Sequence, residues 1–99
     1  MAELILSRLA DQDLGDIYIY SFQQFGAQQA ECYTRDIHNR FDLLADFPRM
    51  GLPARVGEIS CLKFPTGSHV IYYKRTERGI FIARILHATQ DPDRQIFEK

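Results

Sequence analysis

A single residue, Gly26, separates two long stretches of helical periodicity, and that spacing leaves little freedom in how the two can pack. Before it, Leu14, Tyr18, Ser21, Phe22 and Phe25 recur three and four residues apart, with Asp11 and Asp13 near the positive end of the helix dipole. After it, Ala30, Tyr33, Ile37, Phe41, Leu44 and Ala45 continue the pattern as far as Pro48, which pushes the residue before it out of the helical region. Ser7 suits the N-cap of the first helix and follows a brief apolar strand from Glu3 to Leu6. Each helix then takes roughly 17 to 20 residues, about 25 to 30 Å. A one-glycine connection between rods of that length predicts an antiparallel helical hairpin.

Past Pro48 the signal changes. Pro48-Arg-Met-Gly-Leu-Pro53 is a breaker segment closed by Gly57, and beyond it the hydrophobic period is two. Glu58 to Phe64, Ser68 to Lys74 and Ile80 to His87 read as strands, with a three-residue turn at Pro65-Thr66-Gly67. That turn sets Phe64 against Ser68, Lys63 against His69, Leu62 against Val70 and Glu58 against Lys74. The last strand places Ile80, Ile82 and Leu86 on one face and Phe81, Ala83 and Ile85 on the other, as a central strand does. Asp91 and Pro92 form an N-cap and first position for a final helical turn, and Ile96 and Phe97 find a packing partner only if that tail docks. The expected fold class is α+β: a short N-terminal strand and an antiparallel helical hairpin packed on a small antiparallel sheet, with residues 1–99 as one domain.

A chain of 99 residues, 45% hydrophobic and 25% charged, is long enough to bury a modest core. No run approaches the ~20 apolar residues of a membrane span. Met1-Ala-Glu-Leu has neither the basic start nor the apolar run of a secretory signal, so the expected location is cytoplasmic with no membrane partner. Cys32 and Cys61 lack metal-ligand spacing and fall in periodic segments, where buried free thiols are expected; no metal or cofactor is implied. The net charge of −1 hides an asymmetry. Residues 1–47 carry three arginines against eight acids, a net −5, while residues 48–99 carry nine Lys or Arg against five acids, a net +4. The basic half suits an acidic partner.

Cations embedded in apolar strands need a reason. Lys63, His69, Arg84 and His87 are the candidates for acid–base chemistry on a phosphate ester, which requires a base, an acid and cations on the phosphate. Each also has a structural reading. Arg84 can pair with an acid of the helical hairpin, and by strand parity it points away from His87. His69 fits a bridging role beside a turn and His87 a strand end. Lys63, Lys74, Arg75 and Arg78 fit a solvated sheet edge and hairpin tip.

Five segments in order carry a family resemblance: Ala10 to Tyr20 (ADQDLGDIYIY), Phe25-Gly-Ala-Gln-Gln-Ala30, Phe47-Pro-Arg-Met-Gly51, Ser68-His-Val-Ile-Tyr-Tyr73 and Ile82-Ala-Arg-Ile-Leu-His87. Together they span almost the whole chain, which resembles the ParE branch of the ParE/RelE toxins of type II toxin–antitoxin modules. The resemblance implies inhibition of DNA gyrase and a hetero-oligomer with a ParD-like antitoxin, with no direct nucleic-acid binding by the toxin alone. RelE-like relatives share the fold and cut mRNA on the ribosome, typically with a Tyr or His and paired basic residues in the C-terminal segment. Here no Tyr follows Tyr73, and Ala88-Thr-Gln-Asp91 lacks paired cations. The expected activity is therefore inhibitory binding, with no catalytic residue assigned. Two alternatives stand beside it: a ribosome-dependent endonuclease using Lys63, His69, Arg84 and His87, and a binding module without activity. The expected partner-binding residues are Lys63, Lys74, Arg75, Arg78, Arg84, Ile96 and Phe97, with an amphipathic acidic antitoxin segment meeting the basic half.

Overall fold

The computed structural model describes residues 2–97. Strand β1 (Glu3–Leu6) leads into helix α1 (Arg8–Phe25), and helix α2 (Ala27–Asp46) follows after Gly26. Four strands come next: β2 (Leu52–Val56), β3 (Ile59–Thr66), β4 (His69–Arg75) and β5 (Gly79–His87), then a 3₁₀ turn at Pro92–Arg94. They form one five-stranded sheet in the order β1-β5-β4-β3-β2, with β1 parallel to β5 and every other pair antiparallel. The helical hairpin covers one face, and the expected α+β architecture with an interior last strand is present.

Ser7 caps α1 as expected. Its Oγ accepts from Ala10 N–H at 2.9 Å and donates to the Ala83 carbonyl at 2.7 Å, so the cap also fastens the helix to β5. The buried stripe of α1 is Ala10, Leu14, Ile17 and Ser21, not the aromatic row read from the spacing. Phe22 and Phe25 are exposed and Tyr18 half-buried. The aromatic and the small-residue rows lie next to each other on the helix, and close approach to the sheet selects the smaller side chains. On α2 the expected row is the buried one, with Ile37, Phe41 and Leu44 fully enclosed against Ile71, Tyr73, Ile80, Ile82 and Ile85 of the sheet. Cys32 lies off that row and is exposed, while Cys61 is half-buried; neither is enclosed as expected. Burial pushes the Cys61 thiol up, against Lys74 and Lys63.

The sheet departs from the sequence reading in three places. First, Leu52 to Val56 is a strand and not only a breaker: it pairs with β3 across a Gly57-Glu58 turn. Pro53 is tolerated because β2 is the edge strand and needs a partner on one side only. Second, the β3–β4 loop is two residues, Gly67 and Ser68, so Leu62 faces Tyr73, Lys63 faces Tyr72 and Thr66 faces His69. Gly67 takes φ +59 at the first loop position, as a II′ hairpin turn requires. A Cβ there would also lie 2.7 Å from the Tyr33 ring. Third, the β4–β5 register shifts between Tyr72 and Tyr73, leaving Ala83 as a bulge residue. The bulge reverses parity, so Ile80, Ile82 and Ile85 all face the helices while Leu86 turns to the outer face with Val56 and Tyr72. The tail docks on that outer face. Phe97 meets Tyr72 edge-on at 5.6 Å, and Asp93 accepts from Gly57 N–H at 2.9 Å.

Candidate functional site

Two concave regions hold most of the residues singled out in the sequence. The smaller is a recess of about 370 Å³ where α1 crosses the end of β5, lined by Asp13, Asp16, Tyr20, His69, Arg84, His87 and Gln90. β1 stops at the Leu6–Ile82 pair, so the last residues of β5 have no strand on that side. Side chains take the missing strand's place. Asp13 accepts from Ile85 N–H at 3.0 Å and holds Arg84 in a fork, Nε at 2.8 Å and Nη2 at 2.9 Å. Arg84 Nη1 donates to the Ile96 carbonyl at 2.7 Å, so one guanidinium ties helix, sheet edge and tail together.

His69 and His87 meet in this recess, their rings perpendicular with centroids 5.3 Å apart. His69 Nδ1 lies 2.6 Å from the Tyr33 hydroxyl, which accepts from Ser68 N–H at 3.0 Å and is 3.4 Å from the Thr66 carbonyl. The single hydroxyl proton serves either the His69 ring nitrogen or the Thr66 carbonyl, so the direction of the Tyr33–His69 bond follows the imidazole tautomer. His87 Nδ1 accepts from Thr89 N–H at 3.2 Å and lies 2.8 Å from the Thr89 hydroxyl. Burial, and then the neighbouring His87, push the His69 imidazole below its ordinary 6.5, opposed by Asp13. Arg84 and His87 leave opposite faces of β5, as parity requires, yet both reach the recess because Arg84 turns round the edge. Lys63 does not join them. It is exposed on the outer face opposite Tyr72, and the two-residue turn that moved the register removed it from His69.

The larger region is a groove of about 1140 Å³ between the end of α2, the loop after it and the β4–β5 hairpin. Phe47, Pro48, Met50, Ala45 and Leu62 give it apolar walls. Arg49, Lys74, Arg75 and Arg78 surround them with cations, against Asp46 and Glu77. Tyr73 builds this groove from below. Its hydroxyl donates to the Pro48 carbonyl and accepts from Gly51 N–H, both at 2.9 Å. A Cβ at Gly51 would overlap that oxygen, so only glycine fits the approach. Burial raises the Tyr73 hydroxyl above its ordinary range, against the Gly51 bond, which keeps it a proton donor.

Of the expected partner-binding residues, the groove collects Lys74, Arg75 and Arg78; Arg84 is in the recess, Lys63 and Phe97 are on the outer face, and Ile96 is exposed on the tail. The sequence reading missed Arg49, Phe47 and Met50 as groove walls, although the segment containing them was already marked by its prolines. It also treated Asp13 as a dipole partner only. Among the described residues no cluster of His, Cys, Asp and Glu could hold a metal ion, and no helix is long and apolar enough to cross a membrane.

The family model for the ParE toxin of type II toxin–antitoxin system, parDE, matches residues 4–92. The chain is similar to Toxin ParE1 of Caulobacter vibrioides, 36% identical over 86 residues, covering 87% of this chain and 88% of that protein. It is also similar to Toxin ParE1 of Mycobacterium tuberculosis, 32% identical over 93 residues, covering 93% of this chain and 95% of that protein. A chain in the solved chromosomal ParDE TA system from P. aeruginosa has the same fold, with a TM-score of 0.72 at 24% identity over 88% of this chain and 96% of that one. With a family match over nearly its whole length and relatives above 30% identity that cover 87% and 93% of it, the chain belongs to the ParE toxin family of type II toxin–antitoxin systems.

Proposed function

We propose that this protein acts in the cytoplasm by binding and inhibiting DNA gyrase, and that a ParD-like antitoxin silences it by laying an acidic amphipathic segment into the Phe47–Met50 groove. The gyrase target rests on the ParE family membership. The antitoxin site rests on the groove itself, where four cations surround apolar walls, a pairing that suits carboxylates flanking an apolar ridge. The observation that carries inhibition over RNA cleavage is the state of the sheet cations. Arg84 is consumed by a fork to Asp13, Asp16 adds a second acid to the recess, and Lys63 is on the other face. A scissile phosphate entering there would meet carboxylates before it met a free cation.

One observation favours the endonuclease as the second reading: His69 and His87 stand together in the recess, and a hydrogen bond to Tyr33 orients His69. The deciding experiment adds purified protein to a gyrase supercoiling reaction and, in parallel, to ribosomes carrying mRNA. Blocked supercoiling with intact message is expected. Cut message beside normal supercoiling overturns the gyrase reading.

A further inference from the structure

The sheet has two edges, and the chain treats them differently. In β2, Val56 and Ile59 close a two-residue turn, so Leu52, Ala54 and Val56 bond to β3 while the backbone groups of Pro53 and Arg55 point outward. Pro53 offers no N–H there and exposed Arg55 adds a charge, both of which discourage a further strand. In β1 the N–H of Glu3 donates to the Arg78 carbonyl at 2.8 Å and that of Ser7 to the Ile82 carbonyl at 2.9 Å. A parallel ladder uses alternate residues, so Ile5 also bonds to β5, and the N–H and C=O of both Leu4 and Leu6 point away from it. No strand lies on that side among the described residues. Leu4-Ile5-Leu6 carries neither proline nor charge; Ile5 is 43% exposed, and Leu4 and Leu6 are half-buried beside the core.

This open edge begins where the groove ends. The groove crosses the end of the sheet from Leu62 of β3, past Lys74 and Arg75 of β4, to Gly79 and Ala2. Ala2 is the residue before β1, and Gly79 is the partner of Glu3 in the ladder. We infer that an extended stretch of the antitoxin, continuous with the segment held in the groove, pairs with Leu4 and Leu6 as a sixth strand of the sheet. The inference rests on the groove reading above. Size selects this occupant over a second copy of the chain: stable interfaces between free partners bury roughly 1,200–2,000 Å², and the backbone groups of two residues offer far less. For a chain already tethered in the groove, the same bonds form at high effective concentration. Side chains opposite Leu4 and Leu6 lie on the helix side of the sheet and one opposite Ile5 lies on the outer side, with apolar neighbours on both. The paired stretch is therefore a short apolar run that suits β-branched residues.

The test compares the isotope-labelled protein alone with the complex it forms with its co-expressed cognate antitoxin. Amide hydrogen exchange followed by NMR should find Leu4 and Leu6 fast in the free protein and slowed about tenfold or more in the complex. A pair of variants then isolates the backbone. Leu4→Pro removes the outward N–H and leaves the bonds of Glu3 and Ile5 to β5 in place, while Leu4→Ala removes the same side chain and keeps the N–H. Leu4→Pro should bind the antitoxin about five- to tenfold more weakly than Leu4→Ala, as the loss of a hydrogen bond predicts. Fast Leu4 and Leu6 amides in the complex, or equal affinity of two folded variants, overturn the inference. Thermal unfolding checks that both fold; if Leu4→Pro does not, the amides of the unsubstituted protein decide. Charge reversal at Arg75 and Arg78 separates this inference from the reading beneath it. If it weakens the complex while the amides stay fast, the groove stands and the edge falls; if it leaves affinity unchanged, the groove reading fails and the amides alone decide the edge.

Discussion

Breaking the Asp13–Arg84 fork tests whether Arg84 is a structural rivet or a free functional cation. The two side chains are only 13% and 11% exposed and meet at 2.8 Å, so the pair is largely shielded from water. Asp13→Ala removes a charge-assisted fork and also strands the Ile85 N–H, which has no β1 partner. A hydrogen bond to a charged group is worth ~1.5–3 kcal/mol, and an unsatisfied buried donor costs ~1–3 kcal/mol. Asp13→Ala should therefore cost about 3–5 kcal/mol, the range for removing one partner of a buried pair. Arg84→Ala should cost less, about 2–3 kcal/mol, because Asp13 keeps its bond to Ile85 N–H and no backbone donor is stranded. In a double-mutant cycle by urea unfolding with unchanged m-values, the coupling should come out near 2 kcal/mol. Arg84→Lys should recover little of it, since an ammonium cannot make the fork. A coupling below ~0.5 kcal/mol, the value of an exposed pair, would refute the rivet and return Arg84 to the list of available cations.

Other expectations follow from the same contacts. His69 is depressed below 6.5 in the folded state, so its contribution to stability is complete above that pH and is lost as pH falls through the folded value. Thermal unfolding between pH 7.5 and pH 5 should show this acid loss, and His69→Gln should flatten it. Tyr73→Phe deletes the hydroxyl that bridges the Pro48 carbonyl and Gly51 N–H; it should cost about 1–3 kcal/mol and speed amide exchange from Phe47 to Gly51. Charge reversal of Arg75 and Arg78 should weaken the cognate antitoxin and flatten the salt dependence of its binding; unchanged affinity would remove the electrostatic part of the groove proposal.

The elements were legible in the sequence because their signals are local. Ser7, Pro48, Asp91 and Pro92 each stop or start a segment through their own side chain or ring, and Gly26 does so through its positive φ; the structure uses them so. The failures are all of register and facing. A one-residue difference in the Gly67 turn and one bulge at Ala83 decided which side chains share a face, and both depend on contacts from elsewhere: Tyr33 over the turn and Ser7 on the Ala83 carbonyl. The α1 face was misread for a related reason. Periodicity says that a row is apolar, but here two adjacent rows are, and only packing against the sheet selects the smaller. For the site, the role of Arg84 as a partner for an acid of the hairpin was readable as a possibility. That the acid is Asp13, and that it stands in for a strand, needed the end point of β1.

The position of β5 also sets when the protein can exist. Although it is the last of the described strands to be made, it lies between the first strand and the rest of the sheet, and Ser7 and Asp13 find their sheet partners at Ile82, Ala83, Arg84 and Ile85. A growing chain can coil its two helices and pair β2, β3 and β4 early, but β1 and the start of α1 have no strand to join until residues 79–87 have been synthesised. Nascent fragments that stop short of β5 should therefore lack the complete groove, which Arg78 and Gly79 help to line. Closure of the sheet is coupled to synthesis of β5, so the binding surfaces should form together, and a chain cut short before β5 should be harmless.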